Sequence, residues 1–393
     1  MDKQLFTNAA INLNVLRRRA FNYRWAEVEE GVIPLTAADP DFPAAPEIAV
    51  ALQNYIEDGY FSYTPKLGLP EFRLSLSAAL RRRKDESVDS ELILPIDSAA
   101  RGMYIIAQTV LKPGDEAIIF DPVDYLFKQS VLAAGATPVL FPARIVNSAI
   151  DLTALESYIT PRTRLIGLCN PHNPLGAVYS SADLNRILTL ANQYDLWIMN
   201  DEIWSDIVYS EKPFCSILSL GNDRNRKTLS VYGFSKSYAV AGLRIGCIYC
   251  LDPDIFQKIV QTSAVLTTAG GISSLSQIAG QACLEQCDYW LYAFVRFLQG
   301  NRDYAYERLE AMPGITVHKP QATYLIFPNI QQTGLDSEQM VDYLKREAKL
   351  ALVPGSDQFF GPGSAGHVRL CFATSREILA EGLNRLETAL KRL

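Results

Sequence analysis

The chain has 393 residues, of which 48% are hydrophobic and 20% charged, with a formal net charge of −6. That length exceeds the roughly 250–300 residues one core serves, so two domains are expected. The composition excludes large-scale disorder, and a mildly acidic chain is poorly suited to nucleic acid as its main partner.

The start, Met1-Asp-Lys-Gln, lacks a hydrophobic signal core. No apolar run approaches the roughly 20 residues of a membrane helix, so no membrane role and a cytoplasmic location are expected. Seven cysteines, an odd number set mostly in apolar runs, fit buried thiols in a reducing compartment. Cys247 and Cys250 form a C-x-x-C, but in a strand that spacing puts them on opposite faces. With no second such pair and three histidines, no metal site is expected.

Apolar runs at 117–120, 137–141, 165–168, 196–199, 228–231 and 243–249 predict buried strands. Between them, 101–111, 125–134 and 181–194 have helical periodicity, the last preceded by an N-cap region at Ser180-Ser181. Such alternation predicts an α/β fold with a mostly parallel sheet covered on both faces. Helical patterns over 273–311, 337–347 and 376–390, with short strands near 323–327 and 368–372, predict a smaller α+β domain. The glycine-rich stretch 354–366 reads as a loop.

Ligands of an open parallel sheet bind beyond the carboxyl ends of its strands. Three strand ends there carry Asn170-Pro-His-Asn-Pro-Leu-Gly176, Asn200-Asp-Glu202 and Gly233-Phe-Ser-Lys236. A lysine among small residues can be desolvated into a nucleophile toward aldehydes. An aspartate can hold a cationic heterocycle, an asparagine a phenolic oxygen and an arginine a phosphate. Lys236, Asp201, Asn173 and Arg244 supply these groups, a set that suits pyridoxal 5′-phosphate (PLP). Each also has a plainer role: surface lysine, helix cap, turn residue, ion-pair partner.

Ser235-Lys-Ser-Tyr-Ala-Val-Ala-Gly-Leu-Arg-Ile-Gly246 resembles the cofactor-lysine motif of class I/II aminotransferases, the aspartate aminotransferase superfamily of fold type I PLP enzymes. Asn170–Gly176, Asp201-Glu-Ile-Trp204, Tyr63-Thr-Pro-Lys-Leu-Gly68 and the segment from Val353 to Ala373 resemble further family motifs in the same order. The resemblance implies a seven-stranded, mostly parallel sheet in a large PLP domain at 46–290. A small C-terminal domain at 291–393 is joined by an N-terminal segment, 1–45. Lys236 would form the Schiff base and shuttle protons, and Asp201 would face the pyridine nitrogen. Asn173 would reach the phenolic oxygen. Ser235, Arg244 and the amides of Ser98, Ala99 and Ala100 would hold the phosphate. Tyr63 would reach the phosphate of a neighbouring subunit, implying a homodimer with shared sites. Arg369 would bind the substrate α-carboxylate, with Asn173 and Ala38 beside it.

Four positions depart from the family pattern. Asp124, followed by Tyr125, stands where an aromatic ring usually stacks on the cofactor. Trp204 stands where a tyrosine is common, and its N–H can donate but not ionise. Gly233 replaces a phosphate-binding hydroxyl, and the loop Ser98-Ala-Ala-Arg101 lacks the usual glycine. The resemblance implies transfer of an amino group between an α-amino acid and a 2-oxo acid. The alternative is a β-eliminating carbon–sulfur lyase, because Arg17–Trp25 followed by Ile33–Phe42 is similar to cystathionine β-lyases of the MalY/PatB type. A biosynthetic cyclase or replacement enzyme of the same fold is a third reading. A non-catalytic binding protein would need neither Lys236 nor Asp201 in place. The triplet Arg17-Arg18-Arg19 reads as a solvated helix face rather than an entrance.

Overall fold

The computed structural model describes residues 5–221, 223–268 and 270–393. Seven strands form one sheet in the order Ile93–Ile96, Gly246–Tyr249, Thr228–Gly233, Trp197–Asp201, Thr163–Cys169, Glu116–Asp121, Thr137–Pro142. The last five run parallel to one another, and only Gly246–Tyr249 runs against its neighbours. This is the seven-stranded, mostly parallel sheet expected from the sequence.

Successive side chains of a strand point to opposite faces, and here both faces are buried. Ala117, Ile119, Leu165 and Met199 join a core cluster with Phe127, Val131 and Ile259. Ile118, Phe120, Ile166, Leu168 and Ile198 join a separate cluster with Leu184, Ile187 and Leu188. At roughly 1.5–3 kcal/mol for each such side chain, each layer holds its own helices against its face of the sheet. The helix Ser181–Gln193 opens on a capping box, in which Ser180 and Asp183 satisfy each other's backbone N–H groups.

Toward the C-terminus, Leu325–Ile326, Val368–Cys371 and Val353–Pro354 make a small antiparallel sheet against helices Ser337–Ala348 and Arg376–Leu390. Ile33–Pro34 pairs in parallel with Leu350–Ala351, which ties the N-terminal segment to this layer.

Two expectations need correction, and one strand lies outside them. The strand expected at 243–249 begins only at Gly246. Ala241–Leu243 is a 3-10 turn, and Arg244 sits in the left-handed region with φ 50°. The helix expected over 273–311 is two helices, Ser274–Gln286 and Asp288–Glu310, which meet at Cys287 with φ −110° and ψ 15°. The edge strand Ile93–Ile96 escapes sequence reasoning because Pro95 argues against a strand, yet proline is tolerated at an edge. All seven cysteines are free, and Cys247 and Cys250 join core clusters on opposite sides, as their spacing implies.

Candidate active site

The carboxyl ends of the parallel strands open into a cavity of about 600 Å³. Lys236 lies one turn beyond Thr228–Gly233, in the short helix Ser235–Tyr238. Its Nζ donates to the Ala38 carbonyl at 2.7 Å and lies 5.6 Å from the Trp204 ring centre. Burial holds the ammonium below the usual lysine range, against the opposing pull of Asp39. Tyr324, absent from the sequence reasoning, donates to the same carbonyl at 3.2 Å and packs edge-on to Trp204 at 4.7 Å. Trp204 is 2% exposed and borders the cavity.

Asp201 ends its strand at the cavity wall, 7% exposed. Its Oδ1 accepts the Ile203 amide at 3.0 Å. Burial pushes the carboxyl up to about 7, with Asp124 and Glu202 adding to the rise and Lys236 opposing it. A carboxylate so placed is in want of a cation.

Behind it, Lys84 Nζ holds Glu202 at 2.7 Å and Glu86 at 3.2 Å, all nearly inaccessible to solvent. Two carboxylates share one ammonium, and burial pushes Glu86 up to about 8. A carboxyl raised in the folded state contributes stability below its unfolded pKa that is lost as pH rises through its folded one. Glu86→Gln should therefore melt at a higher temperature than wild type near pH 9 and close to it near pH 5. Thermal melts at the two pH values check this, and a pH-independent difference would contradict the assignment.

Asn173 joins two of the departing and matching residues. Its Nδ2 donates to Asp124 Oδ2 at 2.9 Å, and its Oδ1 accepts from Arg369 Nη1 at 3.3 Å. Arg369 is 8% exposed, lies 4.9 Å from the Phe360 ring centre, and has a buried Nε without a hydrogen-bond partner. Asp124 turns its side chain inward, whereas Tyr125 stays 43% exposed at the mouth.

On the other side, Ser98 caps the helix Ala99–Val110 by accepting the Arg101 amide, so the first-turn N–H groups face the cavity. Ser235 and Arg244 line the same end, and the Arg244 guanidinium has no partner among the described residues. Gly246 packs directly beneath this turn. A Cβ there would meet Ala99 N at 2.7 Å and Ser98 C at 2.9 Å, so no larger residue leaves the cradle intact.

The entrance is built from residues that sequence reasoning did not single out. Asn22 and Tyr23 are consecutive left-handed residues, φ 64° and 63°. The next residues lock them: Arg24 pairs with Asp41 in a buried ion pair, and Trp25 donates to Asp41 at 2.7 Å. Tyr23 thereby faces Phe359 edge-on at 6.2 Å, with Phe360 beyond. The only advance signal was the resemblance of 17–25 to the lyases. Arg17, Arg18 and Arg19 are solvated and away from the cavity. Tyr63 is 94% exposed and does not line this chain's cavity.

Residues 30–386 match the model of aminotransferase class I and II. The chain belongs to that family. It is a PLP-dependent aminotransferase of fold type I. The chain is 30% identical to an aspartate aminotransferase of Pyrococcus horikoshii, over 92% of this chain and 91% of the relative. It is equally 30% identical to aromatic-amino-acid aminotransferase 2 of Thermococcus litoralis, over 92% of each. The structure superposes with TM-score 0.86 on a Corynebacterium diphtheriae protein assigned as a PLP-dependent β-cystathionase, at 27% identity, over 97% of this chain and 98% of that one.

The donor set fits the aminotransferase cofactor. Lys236 would take its aldehyde carbon and Asp201 its ring nitrogen, relieving the carboxyl of the protonation that burial otherwise favours. Ser235, Arg244 and the Ala99–Val110 N-terminus would cradle its phosphate.

Proposed function

We propose that Lys236 carries the cofactor and moves the proton of the substrate Cα during amino transfer from an α-amino acid to a 2-oxo acid. The observation behind this reading is the convergence of Lys236, Asp201 and Arg369 on one cavity. When bound, PLP supplies an electron sink for the pair left at Cα. The residues do the rest. Arg369, with its free Nε edge, fixes the α-carboxylate. Lys236, disfavoured as an ammonium by burial, is available as a neutral base. Asp201 keeps the ring nitrogen cationic, and the Ala38 carbonyl holds Lys236 Nζ in register.

The substrate we infer has an aromatic or apolar side chain. Tyr23, Phe359 and Phe360 wall the mouth, and Lys236, Arg244 and Arg369, the cations that line this cavity, already have roles. Nothing in the lining of this chain remains for a distal carboxylate. Between the two 30% relatives, the wall therefore favours the aromatic-type substrate over aspartate.

The second reading, β-elimination of a thiol from a substrate such as cystathionine, is favoured by the N-terminal segment that places Tyr23 and by the β-cystathionase likeness. One assay separates them. Holoenzyme is mixed with a panel of amino acids that includes phenylalanine, aspartate and cystathionine. A lasting change in cofactor absorbance, reversed by a 2-oxo acid, with phenylalanine ahead of aspartate, is expected. Release of pyruvate and ammonia with the absorbance restored would replace transamination by elimination.

The active form is a homodimer in this reading. Tyr60, Phe61 and Tyr63 are 80%, 62% and 94% exposed beside a groove formed with 265–268 and 270–275. Tyr63, too far round to serve its own cavity, would serve the second copy's. Unpaired thiols support a reducing, cytoplasmic setting. No described helix is long and apolar enough to cross a membrane.

A further inference from the structure

Asp124 occupies a position that the aminotransferase pattern gives to an aromatic ring, and its environment shows what a carboxylate can do there. Its backbone N–H donates to the Asn173 carbonyl at 3.3 Å, and its Oδ1 accepts the Leu126 amide at 3.2 Å. Its Oδ2 takes the Asn173 side-chain N–H at 2.9 Å, while the other end of that amide takes Arg369 Nη1 at 3.3 Å. An amide between an acceptor-only carboxylate and a donor-only guanidinium has one orientation: oxygen to Arg369, nitrogen to Asp124. One anion and one cation are thus joined through a single side chain at the spot where an amino acid's carboxylate must arrive.

We propose that Asp124 is a positioning residue that partly neutralises Arg369 through Asn173, so that a carboxylate ligand enters the cavity together with a proton taken up by Asp124. The proposal rests on the reading of Arg369 as the carboxylate anchor. Two carboxylates beside one buried guanidinium disfavour being ionised together. The groups facing Asp124 are Arg369 from Val368–Cys371, Lys236 from Ser235–Tyr238, Asp201 from Trp197–Asp201, Cys169 from Thr163–Cys169, and Tyr125 on its own turn. Arg369 and Lys236 draw it toward the anion, and burial opposes them. An incoming carboxylate occupies Arg369 and tips that balance toward the proton. The aromatic ring found here in the family could not take part in such an exchange.

The test uses holoenzyme and 3-phenylpropionate, a carboxylate with no amino group to transfer. Calorimetry in two buffers of different ionisation enthalpy counts the protons taken up on binding, and repeating it between pH 6 and pH 8.5 gives the pH dependence of Kd. Wild type is expected to take up a sizeable fraction of a proton and to bind more weakly as pH rises. Asp124→Asn preserves the shape and an acceptor for Asn173. It should take up correspondingly less and bind about 10-fold tighter at the alkaline end, the equivalent of one pKa unit of relieved repulsion. Equal proton uptake in both proteins, or a Kd unchanged or weakened in Asp124→Asn, would overturn the proposal. Wild-type uptake of zero would overturn it without the variant. If 3-phenylpropionate fails to bind wild type at all, the Arg369 reading itself falls, and the proposal with it.

Discussion

Lys236→Ala should abolish the visible absorbance of lysine-bound cofactor and lower turnover by at least about 10⁴-fold, the upper end of what a positioned general base supplies. The structure gives two reasons for an effect so large. Lys236 Nζ is held at 2.7 Å from the Ala38 carbonyl, so its position is fixed before substrate arrives. Among the residues lining the cavity it is the sole amine, so no neighbour can replace it. The removed side chain leaves a gap bounded by Trp204 and Tyr324, which pack on each other at 4.7 Å and should hold its shape. A small primary amine added to the variant should therefore enter that gap and restore part of the proton transfer. Absorbance spectra, borohydride trapping and turnover with and without methylamine check the assignment. A variant that still forms a borohydride-stable adduct would place the cofactor on another lysine.

Much of this site can be read in the chain because its parts follow strands. Asn173 and Asp201 each lie just past a run whose alternating residues fill two separate core layers, and Lys236 lies past one whose Leu229 and Val231 fill one of them, which is why the runs stand out. Arg244 lies in the cofactor-lysine motif, but the apolar run through it overstates the strand, which begins at Gly246. The left-handed turn at Arg244 follows from tertiary packing beneath the Ala99–Val110 N-terminus, where Gly246 leaves room for Ala99 N. What escaped was assembled across the chain. Tyr23 from the N-terminal segment and Phe359 from the C-terminal loop meet over the cavity with no periodic pattern in either stretch. Tyr23 reaches that place through two strained residues locked by Arg24 and Asp41, a feature invisible in composition. The hydrogen bond from Asn173 to Asp124 links residues 49 apart in sequence, and it recasts a missing aromatic ring as an added charge.

Asp201→Asn should bind cofactor yet deprotonate the substrate Cα about 10³-fold more slowly in single turnover, a difference of roughly 4 kcal/mol. Asparagine keeps the shape and an acceptor for the Ile203 amide, so the wall of the cavity stays in place. What it removes is the charge that holds the ring nitrogen cationic. The same carboxyl also governs the stability of the unliganded protein. Moving this carboxyl from 3.8 to about 7 by burial costs on the order of 4 kcal/mol at neutral pH and above. The sign follows from linkage. A carboxyl raised on folding stabilises the folded state at low pH, and that contribution disappears as pH climbs toward 7. Cofactor-free wild type should thus lose stability across that interval, while cofactor-free Asp201→Asn should lose less. Binding of the cofactor cation should remove this loss from wild type. Denaturant melts of both proteins with and without PLP, across pH 4–8, read the linkage, and rapid-mixing spectroscopy reads the proton step. A variant whose single-turnover rate equals wild type would mean that the ring nitrogen's proton is held by something other than Asp201.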